Sequence, residues 1–256
     1  MIRGDNRMKC RYLFAGIAAL ALVPAAAAQD GWTGEGSFSA GYTTGNTETA
    51  DLGLGVKLNR ELGVWTYSGE AAAEYGETDS VETRNRVFLS GEIDRQLGDR
   101  LFGFARTSYE KDEFSGFDSR LFVGGGVGYK IIENEITNWS VQGGPGLKID
   151  EIQQTTTVRN GVPVIVPAST EQSLSVVGRS EFSHKFNDAV ALTNNTDVIY
   201  ASESTQVSNS TALTAALTDT FSARVSFDVR HDTNPPPGFE ATDTVTRASI
   251  VYSFGG

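Results

Sequence analysis

A single cysteine, Cys10, stands in this chain of 256 residues. No disulfide within the chain can staple the fold, which must be held by backbone pairing and packing. Histidine is almost as scarce, with only His184 and His231. General bases and metal ligands of that type are therefore few. Beyond the N-terminus no run comes near 18 consecutive apolar residues, so no membrane-crossing helix is encoded there. Basic residues are also short, 21 against 32 acidic ones, for a net charge of -11. That balance argues against nucleic acid as a partner. No Gly-rich phosphate loop is present either.

What is there starts with a basic stretch, Arg3, Arg7, Lys9 and Arg11, followed by an apolar run from Leu13 to Val23 and an alanine cluster. Ala26 and Ala28 fit the small-x-small rule, so residues 1–28 read as a signal peptide cut before Gln29. As a membrane anchor the apolar run is too short, at about 11 residues against the roughly 18 to 20 a span requires. Cys10 precedes that run, so no lipoprotein site follows it. Taking Asp5 and the four basic residues away leaves 17 basic and 31 acidic residues, a net charge of -14. Residues 29–256 are then one exported domain. It is either soluble in the periplasm or a β-barrel of the outer membrane.

Alternation dominates this domain. Trp32, Gly34, Gly36, Phe38, Ala40 and Tyr42 share one face, while Thr33, Glu35, Ser37 and Ser39 share the other. Trp65, Tyr67, Ala71, Ala73 and Tyr75 oppose Ser68, Glu70 and Glu74. Phe221, Ala223, Val225, Phe227 and Val229 oppose Ser222, Arg224, Ser226, Asp228 and Arg230. A period of two is the strand period, not the helical one. At the C-terminus Ala248, Ile250, Tyr252 and Phe254 oppose Asp243, Val245, Arg247, Ser249, Val251 and Ser253. An amphipathic last strand ending on an aromatic residue is the form in which outer-membrane barrels close, and Ile250, Tyr252 and Phe254 form its apolar assembly face.

Turn residues divide the chain into about twelve strands. They are 32–43, 48–60, 64–76, 82–96, 100–111, 118–131, 138–150, 172–186, 189–201, 206–218, 220–230 and 242–254. Short links (61–63, 97–99, 132–137, 187–188, 219) alternate with mostly longer polar ones (44–47, 77–81, 112–117, 151–171, 202–205, 231–241). An up-and-down barrel with tight periplasmic turns and long outer loops shows this pattern. Pro163 and Pro167 fall in the longest link and Pro235, Pro236 and Pro237 in the last, where they stiffen loops. Aromatic residues near strand ends match interfacial girdles, although packing in a soluble β-sandwich would also use them. One strand is less clean: Phe102 and Phe104 share parity with Arg106. The fold expected is an all-β, transmembrane, up-and-down antiparallel barrel of about twelve strands.

Several local sequences carry a family resemblance. They are Gly31-Trp32-Thr33-Gly34-Glu35-Gly36-Ser37, Gly41-Tyr42-Thr43-Thr44-Gly45-Asn46-Thr47, Gly143-Gly144-Pro145-Gly146 and the closing Val251-Tyr252-Ser253-Phe254. Over essentially the whole mature chain it resembles the salt-induced outer-membrane proteins of Gram-negative bacteria, otherwise described as a domain of unknown function. The resemblance implies an outer-membrane barrel, a link to salt or osmotic stress, and no established chemistry. It brings no catalytic residues to carry over. One departure is that Gly255 and Gly256 follow Phe254.

The inward parity collects charges of both signs: Glu35, Glu70, Glu74, Arg84, Arg86, Arg106, Arg120, Arg179, Glu181, Asp197, Arg224, Asp228 and Arg247. Glu92, Asp94, Glu110, Lys130, Lys148, Lys185, Arg230 and Asp243 share it. Such residues either cross-link the interior as ion pairs or form a charged constriction for an ion or small solute. Twelve strands lie between a filled eight-strand barrel and an open sixteen-strand one. Catalysis is weakly supported, since nothing in the sequence fixes Ser183 or Ser222 to His184 as a nucleophile and base. A ring at the membrane interface suits His184 better. Glu110, Asp112, Glu113 and Asp118 have hard oxygen ligands but no known calcium spacing. No metal or cofactor is expected. The expected role is non-catalytic, a narrow pore or an envelope-stress barrel. Alternatives are a plugged structural barrel and a lipid-modifying enzyme. The expected partners are outer-membrane lipid and lipopolysaccharide, the barrel-assembly machinery, and a small ion or solute.

Overall fold

A computed structural model describes residues 31–44, 49–78, 81–159 and 162–255. The proposed signal peptide and the Gly45-Asn46-Thr47 turn lie outside these residues. The strands are β1 (Thr33–Thr44), β2 (Thr49–Leu62), β3 (Trp65–Thr78), β4 (Val81–Gln96), β5 (Leu101–Asp112), β6 (Phe117–Glu133), β7 (Thr137–Ile152), β8 (Thr155–Arg159), β9 (Val162–Val166), β10 (Ser169–Lys185), β11 (Val190–Ala201), β12 (Thr205–Ala216), β13 (Phe221–Asp232) and β14 (Thr242–Phe254). Twelve of them close a barrel in the order β1-β14-β13-β12-β11-β10-β7-β6-β5-β4-β3-β2. Every pairing in it is antiparallel. β14 closes on β1, with Gly34 opposite Phe254 and Thr44 opposite Thr244, so no edge is left open.

Turn chemistry explains the tight rim, which also carries the start of β1 and the end of β14. Asn134 Oδ1 accepts from the Ile136 and Thr137 amides at 3.0 and 2.8 Å. Asn187 Oδ1 accepts from the Ala189 and Val190 amides, both at 2.9 Å. Thr218 Oγ1 accepts from the Phe221 amide at 2.9 Å. Each side chain takes over amides that the reversal removes from the ladder. Gly63, at φ 61°, completes the β2–β3 turn in a left-handed conformation suited to glycine.

Alternation sorts the two surfaces. Phe38, Leu89, Ile93, Val127, Leu174, Val176, Val225 and Ile250 are exposed on the outside. Trp65 and Tyr75 both face outward on β3, ten residues apart. Along a tilted strand that is about 25 Å, the height of an apolar membrane belt. At the tight rim Tyr252 stacks on Phe254 with centroids 6.4 Å apart and meets Phe221 at 5.3 Å.

The structure corrects the sequence reading in two places. The link after β7 is not plain loop. It contains the hairpin β8–β9, a separate two-stranded sheet, with Pro163 in β9 opposite Val158. Neither strand has a second neighbour, so a residue without an amide hydrogen is tolerated there. Several barrel strands also run longer than expected: β7 reaches Ile152, β10 starts at Ser169 and β13 reaches Asp232.

Candidate functional site

The lumen is filled unevenly. On one side Phe102 and Phe104 of β5, Phe122 of β6 and Val177 of β10 form a buried apolar cluster against Ile199 of β11. This resolves the mixed parity of β5: its rings point inward with Arg106. Glycines make room for them. A Cβ at Gly124 or Gly146 would strike the Phe122 ring, at 2.6 and 2.5 Å, and one at Gly128 would strike Phe102.

Around this cluster the inward charges pair, often across the lumen. Glu74 of β3 gathers Arg84 Nε at 2.7 Å, Arg86 Nη1 at 2.9 Å and Arg247 Nη2 at 2.7 Å, with Arg230 Nη2 at 3.8 Å. Arg86 also binds Glu110 at 2.9 Å, and Arg230 reaches Glu110 from the far side of the barrel at 3.9 Å. Asp228 holds Arg247 at 2.7 Å. A second group ties β4 and β5 to β10 and β11. In it Asp197 binds Arg106, and Arg179 at 2.8 Å, while Glu92 takes Arg179 at 3.3 Å and the Gln142 amide at 3.1 Å. Glu181 binds Arg179 at 3.2 Å. A third group lies near the loop rim, where Arg120 meets Asp232 at 2.6 Å and Lys148 meets Asp150 at 3.0 Å. Nearer the tight rim Arg224 grips both oxygens of Glu35, at 2.6 and 2.7 Å. Glu70 lines the same cavity beside Lys57. The thirteen expected lumen charges are thus distributed over four groups rather than one network.

Beside the apolar cluster the lumen is open, with Phe122 and Ile199 on the cavity wall. A cavity of about 610 Å³ reaches from Asp112, Asp232 and Glu240 at the loop rim to Glu35, Lys57, Glu70 and Arg224 near the tight rim. The β13–β14 loop crosses its mouth. Pro236 and Phe239 pack on Gly116 in the turn between β5 and β6, on the opposite wall, where a Cβ would lie 2.7 Å from the Phe239 ring. Thr233 Oγ1 accepts from the Thr205 amide at 2.8 Å, and Asn234 Nδ2 donates to the Glu203 carbonyl at 3.2 Å, anchoring one end of this strap.

Lys57, Asp150 and Asp232 belong to the lumen but were not among the expected residues. Parity alone would have placed Lys57 and Asp150. Asp232 was hidden because the expected strand stopped at residue 230.

The catalytic candidates do not converge. His184 faces outward, with Nδ1 2.8 Å from Thr137 Oγ1 and its ring edge-on to Phe186 at 5.0 Å. Ser183, its strand neighbour, lines the lumen side, and Ser222 is on β13. His231 Nδ1 lies 2.8 Å from Thr242 Oγ1. Asp112 Oδ1 accepts from the Phe114 amide at 3.0 Å, and Glu110 is engaged by Arg86. Among the described residues no three acidic or histidine side chains are grouped to share an ion.

Comparison with known proteins agrees with this architecture. The Escherichia coli K12 protein called uncharacterized protein YdiY is 23% identical over 225 residues, covering 86% of this chain and 82% of its own. Among solved structures, the NanC porin superposes with a TM-score of 0.52 at 12% identity, over 85% of this chain and 98% of that one. The translocator domain of the Neisseria meningitidis autotransporter NalP gives 0.49 at 12% identity, over 95% and 98%. At 12% identity the likeness to the NanC porin is one of fold, a closed barrel of the outer-membrane porin kind, here of twelve strands. The model of a family described as protein of unknown function, DUF481, matches residues 36–254, nearly the entire barrel, and the chain belongs to that family.

Proposed function

We propose that this protein is a non-catalytic barrel of the Gram-negative outer membrane with a narrow pore for small ions or polar solutes. The observation that carries this reading is the cavity that reaches from the loop rim towards the tight rim, lined from all round the barrel, with an apolar cluster filling only part of the lumen beside it. Its lining holds both acidic and basic groups, and charged side chains in a narrow lumen discriminate by charge and size. The Glu35–Arg224 pair lines it near the tight rim. The exposed belt and its aromatic rims suit outer-membrane lipid and lipopolysaccharide, and the strand ending in Ile250, Tyr252 and Phe254 suits the assembly machinery.

Planar-bilayer recording tests the pore. Wild type should give small steady steps, and Glu35→Ala with Arg224→Ala should raise them roughly two-fold by widening the passage near the tight rim. Persistent silence from both proteins would sink the pore reading. The second reading is a plugged structural barrel, and the cross-lumen pairs and the strap favour it. It requires that silence together with an envelope defect on deletion. Growth of the deletion strain in high salt tests the osmotic link.

A further inference from the structure

The outward face of β11 and β12 breaks the apolar belt. Asn194 and Thr196 share the outward parity of Tyr200, and Asn209 and Thr211 share that of Leu213. They face each other directly, Asn194 opposite Thr211 and Thr196 opposite Asn209, near the middle of both strands. The four side chains bond among themselves. Asn194 Nδ2 donates to Thr211 Oγ1 at 2.8 Å and to Asn209 Oδ1 at 3.4 Å. Thr196 donates to Asn194 Oδ1 at 3.3 Å, Asn209 Nδ2 to Thr196 Oγ1 at 2.7 Å, and Thr211 to Asn209 Oδ1 at 3.1 Å.

Two amides and two hydroxyls at mid-height gain nothing from lipid tails, which offer no hydrogen bonds. Counting donors and acceptors shows what is left over. Asn194 has used both amide hydrogens but only one lone pair of Oδ1. Asn209 has used one amide hydrogen, and its second finds no acceptor among the described residues. One patch therefore presents a spare donor and a spare acceptor side by side. A two-fold axis through such a patch pairs each with its counterpart, so it is complementary to itself. The flanking strand permits close approach. Gly178 and Ser180 of β10 lie opposite Val198 and Thr196, and a Cβ at Gly178 would meet nothing within 4 Å.

We infer that this face is a membrane-embedded dimer contact, in which a second copy of the same chain docks through β10, β11 and β12 about a two-fold axis. Asn209 of one protomer donates to Asn194 of its partner, and the reverse. The inference rests on the barrel lying in a bilayer.

Scarcity of cysteine makes the test direct. In a Cys10→Ser background, Thr211→Cys is placed on the patch and Leu89→Cys on the apolar wall far from it. Outer membranes are treated with a short bifunctional maleimide. Thr211→Cys should shift largely to twice the monomer mass, at least ten-fold more than Leu89→Cys. Adding Asn194→Leu and Asn209→Leu should abolish most of that shift. Equal cross-linking at both sites, a product of another mass, or dimers that survive the leucine pair would each overturn the contact. Outer-membrane fractionation and heat-modifiable migration of the same samples report separately on the bilayer reading, so its failure would not be mistaken for loss of the dimer.

Discussion

Glu74 is the residue on which most of the lumen's charge balance turns. Its carboxylate is almost fully shielded, with 7% of the side chain accessible, and three guanidiniums lie within 3 Å of it. Glu74→Gln keeps the shape and removes the charge. Arg84, Arg86 and Arg247 then repel one another in a confined space. Breaking a buried pair from one side costs about 3 kcal/mol or more. The urea midpoint of the barrel in detergent micelles should fall accordingly, whereas an unchanged midpoint would show that lumen water compensates the guanidiniums. The sequence exposed the inward position of all these groups, because parity is a local property. It did not expose their partners. Glu35 and Arg224 are 189 positions apart, and Arg120 and Asp232 are 112 apart. Nothing along the strand says which charge will meet which across the lumen.

At the level of elements, the β6–β7 pair departs most from a regular ladder. Pro145 sits in the barrel wall with no amide hydrogen to donate, and the pairing lapses beside it, between Gly124↔Gly146 and Val127↔Gly143. The backbones close in at that point. A Cβ on Gly126 would fall 2.8 Å from the Gly144 Cα and strike the Gly143 carbonyl. Gly126→Ala should therefore destabilise the barrel by roughly 1 to 3 kcal/mol through overpacking. Gly178→Ala, where the space is open, should stay within about 0.5 kcal/mol. Paired unfolding titrations check this, and equal effects would refute the close approach. The glycine-rich run Gly124-Gly125-Gly126 falls within the strand expected at 118–131. That Gly124 makes room for the Phe122 ring of its own strand and Gly128 for Phe102 of β5 depends on how those side chains fill the lumen.

For the whole molecule, the strap matters most. It leaves β13, meets the β5–β6 turn across the mouth and returns to β14, with Phe239 and Pro236 against Gly116. Its chain reversal is stiffened by the Phe239 amide bonding to the Pro236 carbonyl at 3.1 Å. Phe239→Ala removes the ring that fastens it. A loss of about 1.4 kcal/mol of packing would speed protease cleavage within residues 233–241 by roughly ten-fold, since local opening sets that rate. Cleavage by protease added outside intact cells would also report which rim faces outward. An unchanged rate would mean the strap is held by its Thr233 and Asn234 anchors alone.

By itself the sequence determined which residues of most strands share a face and about how many strands the barrel has. These follow from a period of two and from turn residues, which act within a few positions. Only the tertiary structure decided that an apolar cluster fills part of the lumen beside an open cavity, that the last loop crosses the mouth, and that four outward polar side chains bond to one another. Those outcomes depend on closure. Until twelve strands form one circumference, residues distant in the chain have no fixed neighbours across the lumen, and the space left between them is undefined.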